Sequence, residues 1–326
     1  MDNTTSHARN NHDPSIPEIA RTLRLFVAPG DVGEIRVIGR GAPFGIYFDD
    51  DQIDEAANLA VGITGARGVY LVMNRLDSAL GTRPKLTDSN VLTKDADIVR
   101  RCWLLIDFDP SSPERGANES ATDAEKEAAR ERMEVCYEWL GERGFPEPVF
   151  ADSGNGWHLL FRIDLPNDED SGRLVKAFLH ALSKRFSDDH VGVDISVHNA
   201  SRITKLYGTP ARKGDDRPDR PHRLSKLLSV PDGGAGIVAR EFLESVIADG
   251  NLFNQPTTSN AEVQANNRGD FQPTPKSVRA AATNSFRRGQ HEQATDLPRL
   301  PLAPCRGVLP SPPPLGSPFQ SLSPDV

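Results

Sequence analysis

Apolar positions follow regular patterns in the first third of the chain, and the patterns change from helical to strand spacing and back. Apolar residues recur with helical spacing in two segments, and they alternate or run together in three others. The helical segments are 16–27 and 53–63, and the strand segments are 34–38, 45–48 and 68–73. Asp49 to Asp51 precede the second helix, where acidic residues are favoured as caps. The pattern predicts a small α/β unit over 16–75, and 76–98 carries no periodic pattern and is predicted to be a loop.

The next hundred residues predict the order strand, helix, strand, strand, helix, strand. Thr122 and Glu125 form a capping box before the first of these helices. Its apolar side is predicted to carry Ala128, Val135 and Trp139, flanked by Met133, Cys136 and Leu140. The predicted elements are strand 102–106, helix 122–143, strands 148–151 and 157–163, helix 170–186 and strand 191–197. This order is that of a ferredoxin-like, or RRM-like, split βαβ unit. The predicted fold class is therefore α+β.

Composition divides the chain into three parts. Residues 1–15 are polar and are predicted to be disordered. Residues 16–254 are predicted to be globular, with the α/β unit within 16–98 and the split βαβ unit within 99–254. Residues 255–326 hold twelve of the 26 prolines and are rich in Ser, Asn and Gln. Such a segment buries too little apolar surface to fold alone, so it is predicted to be a disordered tail.

Two acids, Asp107 and Asp109, end the strand that begins the split βαβ unit. Side chains alternate along a strand, so both acids leave from one face and Phe108 leaves from the other. Their Cα atoms should lie about 6.6 Å apart, which lets two carboxylates converge on a divalent cation. An Asp-x-Asp at a strand end is also common as a turn or helix cap, and it occurs in metal-dependent glycosyltransferases. The rest of the chain has to decide between these interpretations.

Two further features are predicted to lie on the same sheet. The turn Ser153-Gly154-Asn155-Gly156 leads into a strand whose second residue is His158, and backbone N–H groups of such a turn can bind an anion. A lone His is more often a satisfied core or surface residue, but one beside an anion site suits a phosphate. Asp194 lies on the last strand and supplies a third carboxylate.

Positive charge is concentrated in one segment of an acidic chain. The net charge of the chain is −8, whereas 199–226 holds eight basic and three acidic residues. Arg202 and Lys205 follow Asp194 closely and are predicted to face a triphosphate, where they would stabilise charge in the transferring group. The residues farther along are predicted to contact a nucleic-acid template, and they are Arg212, Lys213, Arg217, Arg220 and Arg223. A basic loop neutralised by its own acids is the competing interpretation.

The chain carries no apolar run long enough to span a bilayer and no N-terminal signal-like segment, so a soluble cytoplasmic protein is expected. The three cysteines are far apart, which argues against a structural zinc site.

Together, the acids, His158 and the basic residues make a workable site for nucleotidyl transfer. In such a site one metal ion lowers the pKa of a 3′-hydroxyl and a second neutralises the triphosphate.

Three motifs in order resemble those of the archaeo-eukaryotic primase superfamily. They are Ile106-Asp107-Phe108-Asp109, Ser153 to His158, and Val193-Asp194. The segment 199–209, leading to Arg220-Pro221-His222-Arg223, resembles the primase-polymerase-like domains of bacterial phages, plasmids and integrated elements. The likeness covers about residues 16–230.

The resemblance implies a metal-dependent primase or primase-polymerase that uses NTPs or dNTPs on a single-stranded DNA template. Asp107, Asp109 and Asp194 match the metal-binding acids, with Mg²⁺ or Mn²⁺ as the expected ion, and His158 matches the nucleotide-phosphate contact. The chain carries no Gly-x-x-x-x-Gly-Lys-Ser/Thr loop, so any helicase is expected to be a separate partner.

Other classes remain open from the sequence. A truncated or inactive replication protein could keep the fold and bind DNA without catalysis. A glycosyltransferase would use Asp107 and Asp109 but gives the basic segment no role. A rolling-circle endonuclease needs two His residues around a hydrophobic residue, and the strand at 157–163 offers only His158.

Overall fold

The computed structural model describes residues 14–39, 41–111, 115–116 and 118–252. For residues 251 and 252 it describes the backbone alone. The predicted tail at 255–326 and most of the predicted disordered segment at 1–15 lie outside these residues. No helix in the described ranges is long and apolar enough to cross a membrane.

Most of the first sheet is built by the α/β unit that the sequence predicts. Helices α1 and α2 pack against it, and Ile19, Leu23 and Ala56 join Ile35 and Leu71 in a shared core. The elements in chain order are α1 (Ile16–Phe26), β1 (Val32–Ile38), β2 (Phe44–Asp49), a 3₁₀ turn (Asp50–Gln52), α2 (Ile53–Val61), β3 (Gly68–Val72), β4 (Arg75–Leu76) and β5 (Asp88–Ser89). Asp49 is the N-cap of the 3₁₀ turn that leads into α2, whereas the N-cap of α2 itself is Gln52, so the acids predicted to cap this helix lie one short turn before it.

The second sheet confirms the split βαβ order. Its helices α3 and α4 cover one face, where Phe108, Phe161 and Phe178 lie in the larger core. The elements are β6 (Ile98–Pro110), α3 (Asp123–Gly141), β7 (Val149–Asp152), β8 (Trp157–Pro166), α4 (Glu169–Phe186) and β9 (Val191–Val193). β6 pairs with both β8 and β9, and β8 pairs with β7, all antiparallel. The spatial order β9-β6-β8-β7 is the ferredoxin-like arrangement.

The remaining elements connect the two sheets. β10 pairs with β3 and so extends the first sheet, although it lies in the basic segment. β13 extends the second sheet beside β7, and β4 pairs with β6. These elements are a 3₁₀ turn (Ile195–His198), β10 (Ile203–Lys205), β11 (Pro210–Ala211), β12 (Arg223–Leu224), β13 (Lys226–Ser229) and α5 (Arg240–Leu252). Strand pairings therefore cross the predicted boundary between residues 98 and 99. β4, which precedes it, pairs with β6, and β10, which follows it, pairs with β3.

Three sequence predictions differ from the structure. The predicted loop at 76–98 contains β5, the end of β4 and two 3₁₀ turns, which are too short and polar to produce a periodic pattern. The predicted strand 191–197 stops at Val193, because the Asp194 side chain accepts a hydrogen bond from the Ser196 N–H and starts a 3₁₀ turn. On α3, Val135 is 55% exposed, and the buried stripe is instead Ala129, Met133, Cys136 and Leu140.

Candidate active site

Asp107, Asp109 and His158 leave the face of the second sheet that the helices do not cover. Phe108 between the acids is fully buried in the core on the opposite face. Asp107 lies directly opposite His158 across the β6–β8 pair, so the two side chains point the same way. The His158 Nε2 atom lies 3.4 Å from Asp107 Oδ1. The strand pattern predicted from the sequence therefore brings these three side chains together.

Gly156 allows the hairpin turn to approach the acid strand closely. A Cβ atom at this position would lie 2.2 Å from the Phe108 carbonyl oxygen and 2.8 Å from Asp109 Oδ1. Neither distance is possible for a side chain, so the turn reaches the acids only with glycine here. Gly154 has a φ of +94°, and its Cβ would lie 2.6 Å from the Cβ of Ala211.

The turn presents side chains to the cavity, whereas most of its backbone N–H groups are already hydrogen-bonded. The Ser153 N–H donates to the Gly156 carbonyl, the Gly154 N–H to Asp152 Oδ1, and the Gly156 N–H to Ser153 Oγ. These three donors of the predicted anion nest are therefore engaged inside the protein. Ser153 and Asn155 themselves line the cavity described below.

A hydrogen bond to the backbone of β6 places Asp194 beside the site. Its N–H donates to the Asp107 carbonyl oxygen at 2.9 Å. Its two carboxylate oxygens accept hydrogen bonds from the N–H and the hydroxyl of Ser196, at 2.7 and 3.0 Å. Asp194 thus lies beside Asp107 but already has a local structural partner.

A cavity of about 390 Å³ opens between the two sheets and gathers most of the predicted site residues. It is lined by all three acids, by His158 and by five basic side chains. The charged lining residues are Asp107, Asp109, Asp194, Arg67, Arg202, Lys205, Arg212 and Lys213. The cavity thus combines a pair of adjacent carboxylates with an excess of positive charge, which suits a cation and a polyphosphate together.

The basic side chains of the cavity lie beside or on strands of the first sheet and directly after β11, and two of them are held in place by contacts inside the protein. Arg202 donates to Asn199 Oδ1 at 2.8 Å and to the Ser196 carbonyl at 2.6 Å. Lys205 on β10 donates to the Tyr70 hydroxyl at 3.1 Å, and its Nζ lies 4.3 Å from the centre of the Tyr70 ring. Such contacts orient a cation at lower entropic cost when a ligand arrives.

The basic residues predicted to bind template separate into two groups. Arg212 and Lys213 line the cavity beside the acids. Arg220 instead bridges to both carboxylate oxygens of Glu125, Arg223 pairs with Asp123, and Arg217 pairs with Glu119. Arg217, Arg220 and Arg223 are absent from the cavity lining, and the last two hold the first turn of α3.

Burial, followed by the charge of the adjacent Asp107, raises the pKa of Asp109 to about 6, although Lys213 and Arg115 act in the opposite direction. Burial also lowers the pKa of Lys213. The Asp109 carboxylate is therefore under-compensated by the protein's own cations, which is the electrostatic state that a bound cation would relieve.

The residues fit a divalent metal in part. Asp107 Oδ1 is buried, and no described residue donates a hydrogen bond to it, so one carboxylate oxygen is left for a ligand. Carboxylate oxygens are the donors that Mg²⁺ and Mn²⁺ prefer. Within the described ranges, however, no three His, Cys, Asp or Glu side chains are close enough to hold an ion together. Both carboxylate oxygens of Asp194 accept hydrogen bonds from Ser196 instead.

Four residues near the acids escaped the sequence predictions. Arg67 and Tyr70, before and on β3, line the cavity from the first sheet. Thr204 and Tyr207 form hydrogen bonds behind His158. Thr204 and Tyr207 lie in the segment 199–209 that carries part of the resemblance, but no role was predicted for them, and Arg67 and Tyr70 come near the acids through the pairing of β10 with β3.

No family model and no curated protein matches the chain. Among solved structures, the chain is similar to the primase RepB′, with 11% identity, a TM-score of 0.39, and coverage of 73% of this chain and 62% of that one. The chain thus spans less than two thirds of that structure. The RepB′ catalytic domain in complex with initiator DNA gives 12% identity, a TM-score of 0.39 and coverage of 74% and 95%.

The AEP domain of the primase-polymerase of cyanophage S-2L is similar at 14% identity, with a TM-score of 0.42 and coverage of 72% of this chain and 99% of that domain. Each of these likenesses has an identity of at most 14% and a TM-score of at most 0.42, so the resemblance to the archaeo-eukaryotic primase superfamily is carried by the three sequence motifs.

Proposed function

We propose that this chain is a DNA-directed nucleotidyltransferase, a primase or primase-polymerase, that makes or extends primers on single-stranded DNA during replication of a mobile element. One observation carries the proposal: Asp107, Asp109 and Asp194 line a single cavity with five basic side chains and His158. A nucleoside triphosphate with its metal ions has the complementary distribution of charge.

Asp107 and Asp109 are the proposed ligands of Mg²⁺ or Mn²⁺, and Asp194 completes the set when its carboxylate leaves Ser196. A metal pair supplies two effects when bound, since it lowers the pKa of a 3′-hydroxyl and neutralises charge on the triphosphate. The buried oxygen of Asp107, to which no described residue donates a hydrogen bond, supports this assignment.

The other cavity residues are proposed to bind the incoming NTP or dNTP. Arg202 and Lys205 approach from β10 and the turn before it, so they meet the phosphates from the side opposite the acid strand. His158, Ser153 and Asn155 contribute hydrogen-bond donors, while Gly154 and Gly156 allow the turn to come close.

Arg212 and Lys213 are proposed to contact phosphates of the template or of the nucleotide at the cavity rim. Arg217, Arg220 and Arg223 were predicted to have the same role, but their ion pairs with Glu119, Glu125 and Asp123 favour a structural one. We also propose residues 16–254 as the catalytic domain, with any helicase supplied as a separate chain.

A primer-synthesis and extension assay tests the proposal. The full chain is incubated with single-stranded DNA, with and without an annealed primer, and with NTPs or dNTPs in Mg²⁺ or Mn²⁺. Template-dependent products that vanish with a chelator are expected. A well-folded protein that makes no product with either nucleotide set and either metal would contradict the proposal.

A further inference from the structure

Behind His158 lies a chain of hydrogen bonds with no exposure to solvent. His158, Thr204 and Tyr207 are 3%, 1% and 0% exposed. The Tyr207 hydroxyl lies 2.7 Å from His158 Nδ1 and 3.0 Å from the Thr204 hydroxyl, while Thr204 Oγ1 lies 3.4 Å from the same Nδ1 atom. The hydroxyl groups of Tyr207 and Thr204 therefore both lie beside one nitrogen of the His158 ring.

The other ring nitrogen faces the acids. His158 Nε2 lies 3.4 Å from Asp107 Oδ1, and His158 lines the cavity. In a neutral imidazole one nitrogen carries the proton and the other accepts. If Nδ1 carried the proton, the lone pair of Nε2 would face a carboxylate oxygen, which is electrostatically unfavourable.

The hydroxyl groups of Tyr207 and Thr204 can supply a hydrogen-bond donor to Nδ1 of His158. Burial raises the pKa of the Tyr207 phenol, so its proton is retained and available to donate. A donor at 2.7 Å to Nδ1 leaves the ring proton on Nε2, where it points toward Asp107 and the cavity. Thr204 can then donate to the Tyr207 oxygen at 3.0 Å, which satisfies both hydroxyl groups.

We propose that Tyr207 is a positioning residue that holds His158 in the Nε2–H tautomer, so that the ring presents a fixed donor to the triphosphate. The assignment rests on the proposed nucleotide site but concerns a residue outside the cavity lining. Thr204 belongs to β10 of the first sheet, and His158 belongs to β8 of the second. The orientation of the donor is thus fixed by both sheets that form the cavity.

The first test reads the tautomer directly and requires no catalysis. Long-range ¹H–¹⁵N correlation spectra of the ring nitrogens are recorded for the metal-free full chain at mildly alkaline pH, where histidine rings are neutral. The His158 signals are assigned by their loss in His158→Asn. Wild type should show Nε2–H alone, and Tyr207→Phe, which removes only the hydroxyl, should show a mixture.

The second test measures nucleotide affinity. Tyr207→Phe should weaken binding of a nucleoside triphosphate about three- to tenfold, since only part of the ring population presents its donor correctly. In extension assays the change should fall on KM, with kcat within about twofold of wild type. Tautomer and binding do not depend on incorporation, so they distinguish failure of this inference from failure of the proposed function.

Matched variants separate positioning from packing. Tyr137→Phe, on α3 against Phe150 and outside the cavity lining, should leave both readouts unchanged. Thr204→Val should shift the tautomer in the same direction, and Thr204→Ser, which keeps the hydroxyl, should restore the wild-type spectrum. A Tyr207→Phe protein with a pure Nε2–H signal and wild-type affinity would overturn the inference.

Discussion

Gly156 is the residue at which the hairpin turn and the acid strand come closest. A methyl group there would overlap the Phe108 carbonyl and Asp109 Oδ1. Either the turn moves or Asp109 does, and both changes disturb the candidate metal ligands.

We therefore expect Gly156→Ala to lower the free energy of unfolding by about 1–3 kcal/mol, as overpacking does elsewhere. Urea unfolding of the purified protein measures this. Gly141→Ala is a matched control, because nothing lies within 4 Å of its Cβ at the end of α3, and it should be neutral or slightly stabilising. Equal urea midpoints for Gly156→Ala and wild type would show that the turn can shift to admit a methyl group without loss of stability.

Asp109 should make the metal-free protein less stable as the pH rises. Its pKa is raised from an ordinary 3.8 to about 6 in the folded protein, so the folded state holds this proton more tightly than the unfolded state. The stabilisation is complete below pH 4 and is lost as the pH passes through 6.

Asp109→Asn, which cannot ionise, should therefore be more stable than wild type at pH 7 in the presence of a chelator, and similar to it near pH 4. The exposed Asp54→Asn serves as control and should show no such gain. If Asp109→Asn gains nothing at pH 7, the burial of this carboxylate does not act as described.

The sequence predicted which side chains lie together wherever the local geometry of a strand or turn determines it. Strand alternation placed Asp107 and Asp109 on one face, and the glycine turn placed His158 beside them. Tyr207 and Arg67 could not be found in this way, because their proximity to the acids depends on strands paired across more than a hundred residues.

At the scale of elements, the basic segment serves two structural purposes. Its first part adds β10 to the first sheet and brings Arg202, Lys205 and then Arg212 and Lys213 to the cavity. Its second part returns over the first turn of α3, where Arg220 and Arg223 are each 12% exposed and ion-paired. The number of basic residues could not predict this division, since each part holds four of them, although all three acids of the segment lie in the second part.

Replacing Arg212 and Lys213 together by Ala should weaken binding of single-stranded DNA and reduce the slope of log affinity against log salt by about 1.4, or 0.7 for each lost phosphate contact. Fluorescence anisotropy over a range of salt concentrations measures the slope. The pair Arg220→Ala and Arg223→Ala should keep the wild-type slope and lower stability instead. A slope altered only by the second pair would assign the template to the α3 side.

Most helices and long strands were predictable, because burial on one side leaves a periodic pattern. The split βαβ order followed directly from such patterns over 101–197. The two-residue strands β4 and β5 could not be predicted, since a pair of residues has no period. On α3 the predicted face was wrong at Val135, because several apolar residues lie around the helix and only tertiary contacts select Met133 and Cys136.

At the scale of the whole molecule, the cavity lies between two sheets that exchange strands. β10 comes from the later part of the chain and joins the first sheet, and β4 comes from the earlier part and joins the second. The site is therefore built by residues 14–252 as one body, and neither half of this range would form the cavity alone.

The described fold ends in α5, so a protein that stops at residue 254 should fold and keep the activity of the full chain. The composition of 255–326 supports the same expectation. Circular dichroism, thermal unfolding and extension assays on both proteins check this. Loss of folding or activity on truncation would show that the tail contributes to the domain.

The initial rate of template-directed incorporation by Asp107→Asn tests whether Asp107 holds catalytic metal. We expect a fall of at least about a hundredfold, because transition-state charge loses its metal, with an unchanged circular dichroism spectrum. Asp54→Asn, at an exposed acid on α2, should retain the wild-type rate. An Asp107→Asn protein that incorporates nucleotides at a rate close to wild type would show that Asp107 is not a catalytic metal ligand.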